Sequence, residues 1–153
     1  ANPLHAIIAR APNVLITVQG PDAYVSPDWY TSKDQVPTWN YIAVHMKGRA
    51  RVLPDEAKWP HVDRLSDTFE ARLAPKPIWK SSKMTPQKRE MLIRAIVAIE
   101  IEVLSIDGSW KLAQTKTRSD RMEVARMLEW RGDADGHSGA RGISEAMKQS
   151  LKA

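Results

Sequence analysis

The chain of 153 residues contains no cysteine. That excludes disulfides, thiol nucleophiles and thiolate metal sites, and it fits a cytoplasmic location. No apolar run approaches the roughly 20 residues a membrane span needs. Ala1-Asn2-Pro3 shows no basic segment leading into an apolar core, so no signal peptide is expected in these residues. Neither a Walker pattern nor Gly-x-Gly-x-x-Gly follows any strand-like run, which argues against a phosphate loop. His5, His45, His61 and His137 share no ligand spacing, so no metal site is expected. Ser26 has no His-Asp pair with an evident place beside it, and serine hydrolysis is disfavoured. No helix-turn-helix or other DNA-reading motif is present. No residue set stands out as catalytic.

What remains is an ordinary globular composition, with 42% hydrophobic and 27% charged residues. The net charge of +5 is unevenly placed. Lys76, Lys80, Lys83, Lys88, Arg89 and Arg94 share one short segment with a single acid, Glu90. Such a patch can attract phosphate, which makes DNA an alternative partner. A solvated helix and loop is the commoner reason for it, and the one we prefer.

The informative stretch runs from Gly20 to Val52. It holds Trp29, Trp39 and the tyrosines 24, 30 and 41, beside turns anchored by Pro21, Pro27 and Pro37. Ile42, Val44, Met46, Ala50 and Val52 then alternate with Tyr41, Ala43, His45, Lys47, Arg49 and Arg51. That period of two predicts a half-buried strand beginning after Pro37. Gly48 within it predicts a bulge or a close backbone approach. Any single ring here is best read as core filling. The whole set, interleaved with Ser, Asp, Asn and His, reads better as a pocket for a planar ligand.

Gly20-Pro21-Asp22-Ala23-Tyr24-Val25-Ser26-Pro27-Asp28-Trp29-Tyr30, Val36-Pro37-Thr38-Trp39-Asn40-Tyr41 with Val44-His45, and Trp110-Lys111-Leu112-Ala113-Gln114 resemble the FMN-binding negative transcriptional regulators, the PaiB-like proteins. The resemblance covers about residues 2–129. It implies an α+β fold built on an antiparallel split β-barrel with flanking helices, the FMN-binding split-barrel group, acting as a homodimer with FMN as cofactor. Family members carry an additional N-terminal segment with the first barrel strands, so an N-terminally incomplete barrel is expected over 1–131. Residues 132–153 are expected as a flexible linker, rich in Gly, Asp and Ser, and a short terminal helix. Flavin reductases and oxidases share the fold, which keeps an FMN-dependent oxidoreductase open as an alternative, as it does a flavin-less interaction module.

Along the chain, Asn2-Pro3 predicts a helix start, and Val14–Val18 a buried strand. Residues 31–35 read as an exposed loop. Pro54-Asp55-Glu56 opens a helix whose Trp59, Val62, Leu65, Phe69 and Leu73 form an apolar stripe. His61 is expected at the surface. Thr85-Pro86 starts another helix, with Met91, Leu92, Ala95, Ile96 and Ile99 as its buried stripe. A strand from Ile99, bulged near Val103 and Leu104, is expected to turn at Asp107-Gly108 and return through Ser109–Gln114. Thr117 predicts the cap of a helix reaching Trp130, with Met122, Ala125 and Leu128 facing inward.

The candidate cofactor-binding residues are Ser26, Trp29, Tyr30, Trp39, Asn40, Trp110, Lys111 and Gln114. On the expected return strand Trp110 and Gln114 share one face, a ring for stacking and an amide for the flavin edge, and Lys111 points the other way. Asn40 offers a second amide where the central strand begins. Glu100 and Glu102 read as a solvated face and not as a paired-carboxylate site.

Overall fold

The computed structural model describes residues 3–136 and 138–152. Asn2, expected as a helix cap, and His137 lie outside the described residues. The fold is α+β: β1 (Asn13–Val25), β2 (Thr38–Val52) and β3 (Ile99–Lys111) form an open antiparallel sheet in the order β1-β2-β3, flanked by helices, as in a partial split barrel. The chain forms two compact units, Ala1–Val14 with Lys47–Leu104, and Leu15–Met46 with Ser105–Ala153.

In the first unit, α1 (Leu4–Arg10) buries only Ile8. β2 continues through Gly48, where an added Cβ would stand 2.5 Å from the Glu102 carbonyl oxygen. The glycine is there because two backbones approach closely. Arg51 and Glu100 pair across these strands at 2.5 Å. α2 (Lys58–Glu70) follows a 3-10 turn at Asp55–Ala57. His61 is exposed. The expected apolar stripe is only partly covered: Trp59 and Val62 are half-buried, and Leu65, Phe69 and Leu73 are exposed. α3 (Pro86–Ile93) begins as expected, with Thr85 Oγ1 accepting from the Lys88 N–H, but Met91 and Leu92 are exposed. Helical spacing finds an apolar side, and it does not say that the single chain covers it.

The second unit holds the main core. Ala23 and Val25 of β1 pack with Val124, Ala125 and Leu128 of α4 (Arg118–Asp135) and with Ala140, Ile143 and Met147 of α5 (Ser138–Ser150). Each fully buried Leu, Ile or Met contributes about 1.5–3 kcal/mol of transfer free energy. β1 is longer than the expected Val14–Val18 and runs on through Pro21. Its burial changes parity on the way, from Val14 and Ile16 to Ala23 and Val25. Thr117 caps α4 as expected, and Ala125 and Leu128 are buried, whereas Met122 is exposed.

Two expectations need correction here. Asp107-Gly108 is not a hairpin turn: β3 passes straight through it to Lys111. Gly136 is the glycine that takes a positive φ, +65°, among the described residues. At Gly108 an added Cβ would collide with the Trp110 ring, so the glycine makes room for that ring two residues on. The second correction concerns residues 132–142, expected as a flexible linker; the terminal helix expected over residues 143–152 is present and begins earlier, at Ser138. α4 continues through Gly132 to Asp135, Gly136 turns the chain in the left-handed region, and α5 packs on α4. A Cβ on Gly139 would lie 2.5 Å from the Asp22 carbonyl oxygen, so this glycine serves close helix–strand packing.

Candidate functional site

A cavity of about 310 Å³ opens in the second unit, lined by Tyr30, Val36, Thr38, Asn40, Lys111 and the turn from Ala113 to Lys116. Its size is at the low end of the roughly 300–1,000 Å³ usual for small-molecule sites. Local structure explains how these groups converge. The Pro27–Trp29 turn is capped by Ser26, whose Oγ accepts from the Asp28 N–H at 3.3 Å, and it delivers Tyr30 to the wall. Pro37 ends the loop, and β2 then brings Thr38 and Asn40 in at alternate positions.

The far wall comes from the end of β3. Lys111 Nζ donates to Thr38 Oγ1 at 2.8 Å. Ala113 sits at φ +58°, and this breaks the strand's alternation. Gln114 folds back into the same turn: its Oε1 accepts from the Leu112 N–H at 2.9 Å and its Nε2 donates to the Trp110 carbonyl. Lys116 Nζ donates to Gln35 Oε1 at 2.6 Å and lies 5.5 Å from the centre of the Tyr30 ring. Two lysines therefore line the cavity, and no Asp or Glu is among its lining residues.

Asn40 is fully buried, at 0% exposure. Its Nδ2 donates to Met147 Sδ at 3.4 Å, and its Oδ1 has no hydrogen-bond partner. A buried carbonyl oxygen left unpaired costs about 1–3 kcal/mol.

Asp120 holds the loop over this cavity. Its Oδ1 accepts from the Thr31 N–H at 2.8 Å, the Thr31 hydroxyl at 2.7 Å and the Ser32 N–H at 2.9 Å; its Oδ2 accepts from the hydroxyls of Ser32 and Thr117 at 2.7 and 2.8 Å. The Thr31 and Ser32 side-chain bonds, foremost, hold this carboxyl far below the usual range. Burial, and after it the Asp120 charge, pushes the Tyr30 hydroxyl up from its ordinary value, so Tyr30 is a neutral phenol at physiological pH.

Of the eight candidate residues, the structure brings Tyr30, Asn40, Lys111 and Gln114 together in the cavity wall. The rest stand elsewhere. Ser26 is used as a turn cap, and Trp29 packs against the core. Trp39 is exposed and meets Tyr24 edge-on, with ring centres 6.0 Å apart. Trp110 is 53% exposed. Sequence reasoning missed Lys116, Thr38 and Asp120. For Asp120 a signal existed, because Thr117-x-x-Asp120 is a capping pattern. Its second use, as a clamp on a loop about ninety residues away, has no local signature.

An open antiparallel sheet with flanking helices is the architecture of a partial split barrel, and the second unit carries a cavity lined by two lysines and two amides. Residues 1–105 match the family model described as "Putative FMN-binding domain", and the chain belongs to that family. It is 32% identical over 151 residues to the Protease synthase and sporulation protein PAI 2 of Bacillus subtilis, covering 99% of this chain and 70% of that protein. An uncharacterized protein of Emericella nidulans is 28% identical over 130 residues, covering 76% of this chain and 52% of that protein. One from Saccharomyces cerevisiae is 35% identical over 57 residues, 35% of this chain and 34% of that protein. No helix among the described residues is long and apolar enough to cross a membrane. No group of three or more His, Asp or Glu among them is placed to hold a metal ion.

Proposed function

We propose that this chain binds FMN in the cavity between Tyr30, Asn40 and Lys111, as a PaiB-like protein working as a homodimer. The observation that carries the reading is a cavity of about 310 Å³ lined by Tyr30 and two lysines with no carboxylate among its lining residues. A flavin supplies the electron-rich groups that such a wall attracts, and family membership supports the same ligand. Bound FMN supplies a redox-active ring. This chain's own residues would orient it: the lysines by hydrogen bonds, Tyr30 as an apolar wall with its hydroxyl kept protonated. Trp39 and Trp110 are exposed rings free to stack on a ligand or on a partner subunit.

The homodimer reading is supported by the two edge strands. Leu15 and Val18 on β1, and Ile106 and Trp110 on β3, are exposed apolar side chains beside unpaired backbone edges. A role in transcriptional regulation rests on the family resemblance. Its contact with DNA would fall to the Lys76–Arg94 segment. The deciding experiment is the visible absorption spectrum of the purified protein before and after adding FMN, followed by calorimetric titration. Saturable binding with a shifted flavin band is expected. A spectrum identical to that of free FMN at every ratio would overturn the reading.

A further inference from the structure

The 31–37 loop is held firmly at both ends and weakly at its tip. Asp120 accepts from the Thr31 and Ser32 N–H groups at 2.8 and 2.9 Å and from both hydroxyls at 2.7 Å. Beyond the far end, Thr38 Oγ1 accepts from Lys111 Nζ at 2.8 Å. Between these holds, residues 33–36 make no backbone–backbone hydrogen bond among the described residues. Asp34 at the apex takes φ +57°, in the left-handed region that costs a non-glycine residue energy. A side chain ties the tip down: Gln35 Oε1 accepts from Lys116 Nζ at 2.6 Å, and Gln35 Nε2 donates to the Lys33 carbonyl at 2.9 Å. Tyr30 and Val36, on either side of the tip, both line the cavity. Val36 does so while 72% exposed, an apolar side chain at a cavity wall with little covering it.

We propose that residues 33–36 are a lid on this cavity, latched by the Gln35–Lys116 hydrogen bond. Ligand enters and leaves while the latch is broken, with the two fixed ends of the loop as hinges. Once ligand is inside, the latch re-forms and Val36 is covered. An ammonium carries three N–H donors and Gln35 takes one, so Lys116 can hold the latch and a ligand acceptor together. The size of the site points the same way. A cavity of about 310 Å³ is small for a ligand as large as FMN, and a wall that yields lets it in. This rests on the cavity reading above and adds to it how access is controlled, through Gln35, a residue outside the cavity lining.

The test has one arm without ligand and one with it. The chain has no cysteine, so Lys33→Cys places a single spin label on the tip. In the ligand-free protein, adding Gln35→Ala should raise the mobile-to-immobile ratio of the label about tenfold, the effect of losing one hydrogen bond to a charged group. Gln35→Glu keeps an acceptor for Lys116 and should hold the label at least as still as the parent does. A melting temperature close to the parent's shows that only the loop has changed. Stopped-flow mixing with FMN should then give association and dissociation both about tenfold faster in Gln35→Ala, with Kd within about threefold of the parent, as expected of a gate that acts on access. Equal label mobility in the parent and Gln35→Ala would overturn the latch. Equal FMN rates in the two would overturn the lid and leave FMN binding intact. If FMN fails to bind, the flavin reading falls, and the lid stands or falls on the label arm alone.

Discussion

Asn40 of β2 donates through Nδ2 to Met147 Sδ of α5 at 3.4 Å, joining residues 107 apart in sequence. Both side chains are fully buried. The contact ties the terminal helix to a buried amide beside the cavity and fixes the orientation of that amide. Met147→Ala should destabilise the protein by about 2–5 kcal/mol through the space it leaves, read as a lower urea midpoint. Met147→Leu nearly conserves volume and should cost less than about 1.5 kcal/mol. It removes the sulfur acceptor, however, so FMN affinity should fall more than stability does. Equal FMN affinity in Met147→Leu and the parent would show that Met147 does not set the amide.

Asp120 makes stability depend on pH in a stated direction. Its carboxyl is held far below the usual range by the Thr31 and Ser32 side-chain bonds. A group whose folded pKa is depressed stabilises the fold above its unfolded pKa, around 4 for Asp, and loses that contribution as pH falls through the folded value. Stability should therefore drop on acidification below about pH 4, beginning with the 31–37 loop. Asp120→Asn should lower the melting temperature at pH 7 and flatten that acid limb. A parallel acid limb in parent and variant would remove Asp120 as its source.

Much of the fold was legible because alternation and caps are local. β2 was found from Ile42, Val44 and Met46, and the helix starts from Thr85 and Thr117. The errors share one cause, since glycine has several uses that sequence alone does not separate. Gly108 looked like a turn and is room for the Trp110 ring; Gly139 looked like a linker and is a close contact with Asp22. In the candidate site, Tyr30, Asn40 and Lys111 were within reach of motif reasoning. Lys116 and Asp120 act through residues 81 and about 90 positions distant, Gln35 and the Thr31 loop, which only the fold brings near.

The basic segment gives a prediction about DNA. Lys76 pairs with Glu70, Lys80 with Asp67 at 2.6 Å and Arg94 with Glu90, and Arg89 stands 4.4 Å above the Trp59 ring. With those charges engaged, Lys88 and Lys83, the latter within the field of Glu70, are the cations left without a direct ion pair or ring contact among the described residues of this segment, and they meet phosphates first. Affinity for duplex DNA should then fall with salt on a log–log slope of about −2, from roughly two released counterions. Slopes of −5 or steeper in a binding series from low to physiological salt would mean that the pairs open on DNA. Replacing Lys80 with Gln should change stability by less than about 1 kcal/mol, as for other exposed pairs.

The turn after β3 separates a structural role from a ligand contact. Gln114 closes it by accepting from the Leu112 N–H and donating to the Trp110 carbonyl, and Ala113 sits inside it at φ +58°. A left-handed conformation costs a non-glycine residue about 1–2 kcal/mol. Ala113→Gly should remove most of that strain and match or exceed the parent in stability by about 1 kcal/mol, because glycine's greater unfolded-state entropy takes back part of the gain. Gln114→Ala loses two hydrogen bonds and should destabilise the ligand-free protein by about 1–2 kcal/mol. Since the turn carries Lys111 and Lys116 to the cavity, FMN affinity should fall as well. Pairing Gln114→Ala with Ala113→Gly should restore part of both losses, which a direct contact between Gln114 and the flavin would not allow. If Gln114→Ala weakened FMN binding while leaving the melting temperature without FMN unchanged, the amide would be a ligand group and this account of the turn would be wrong.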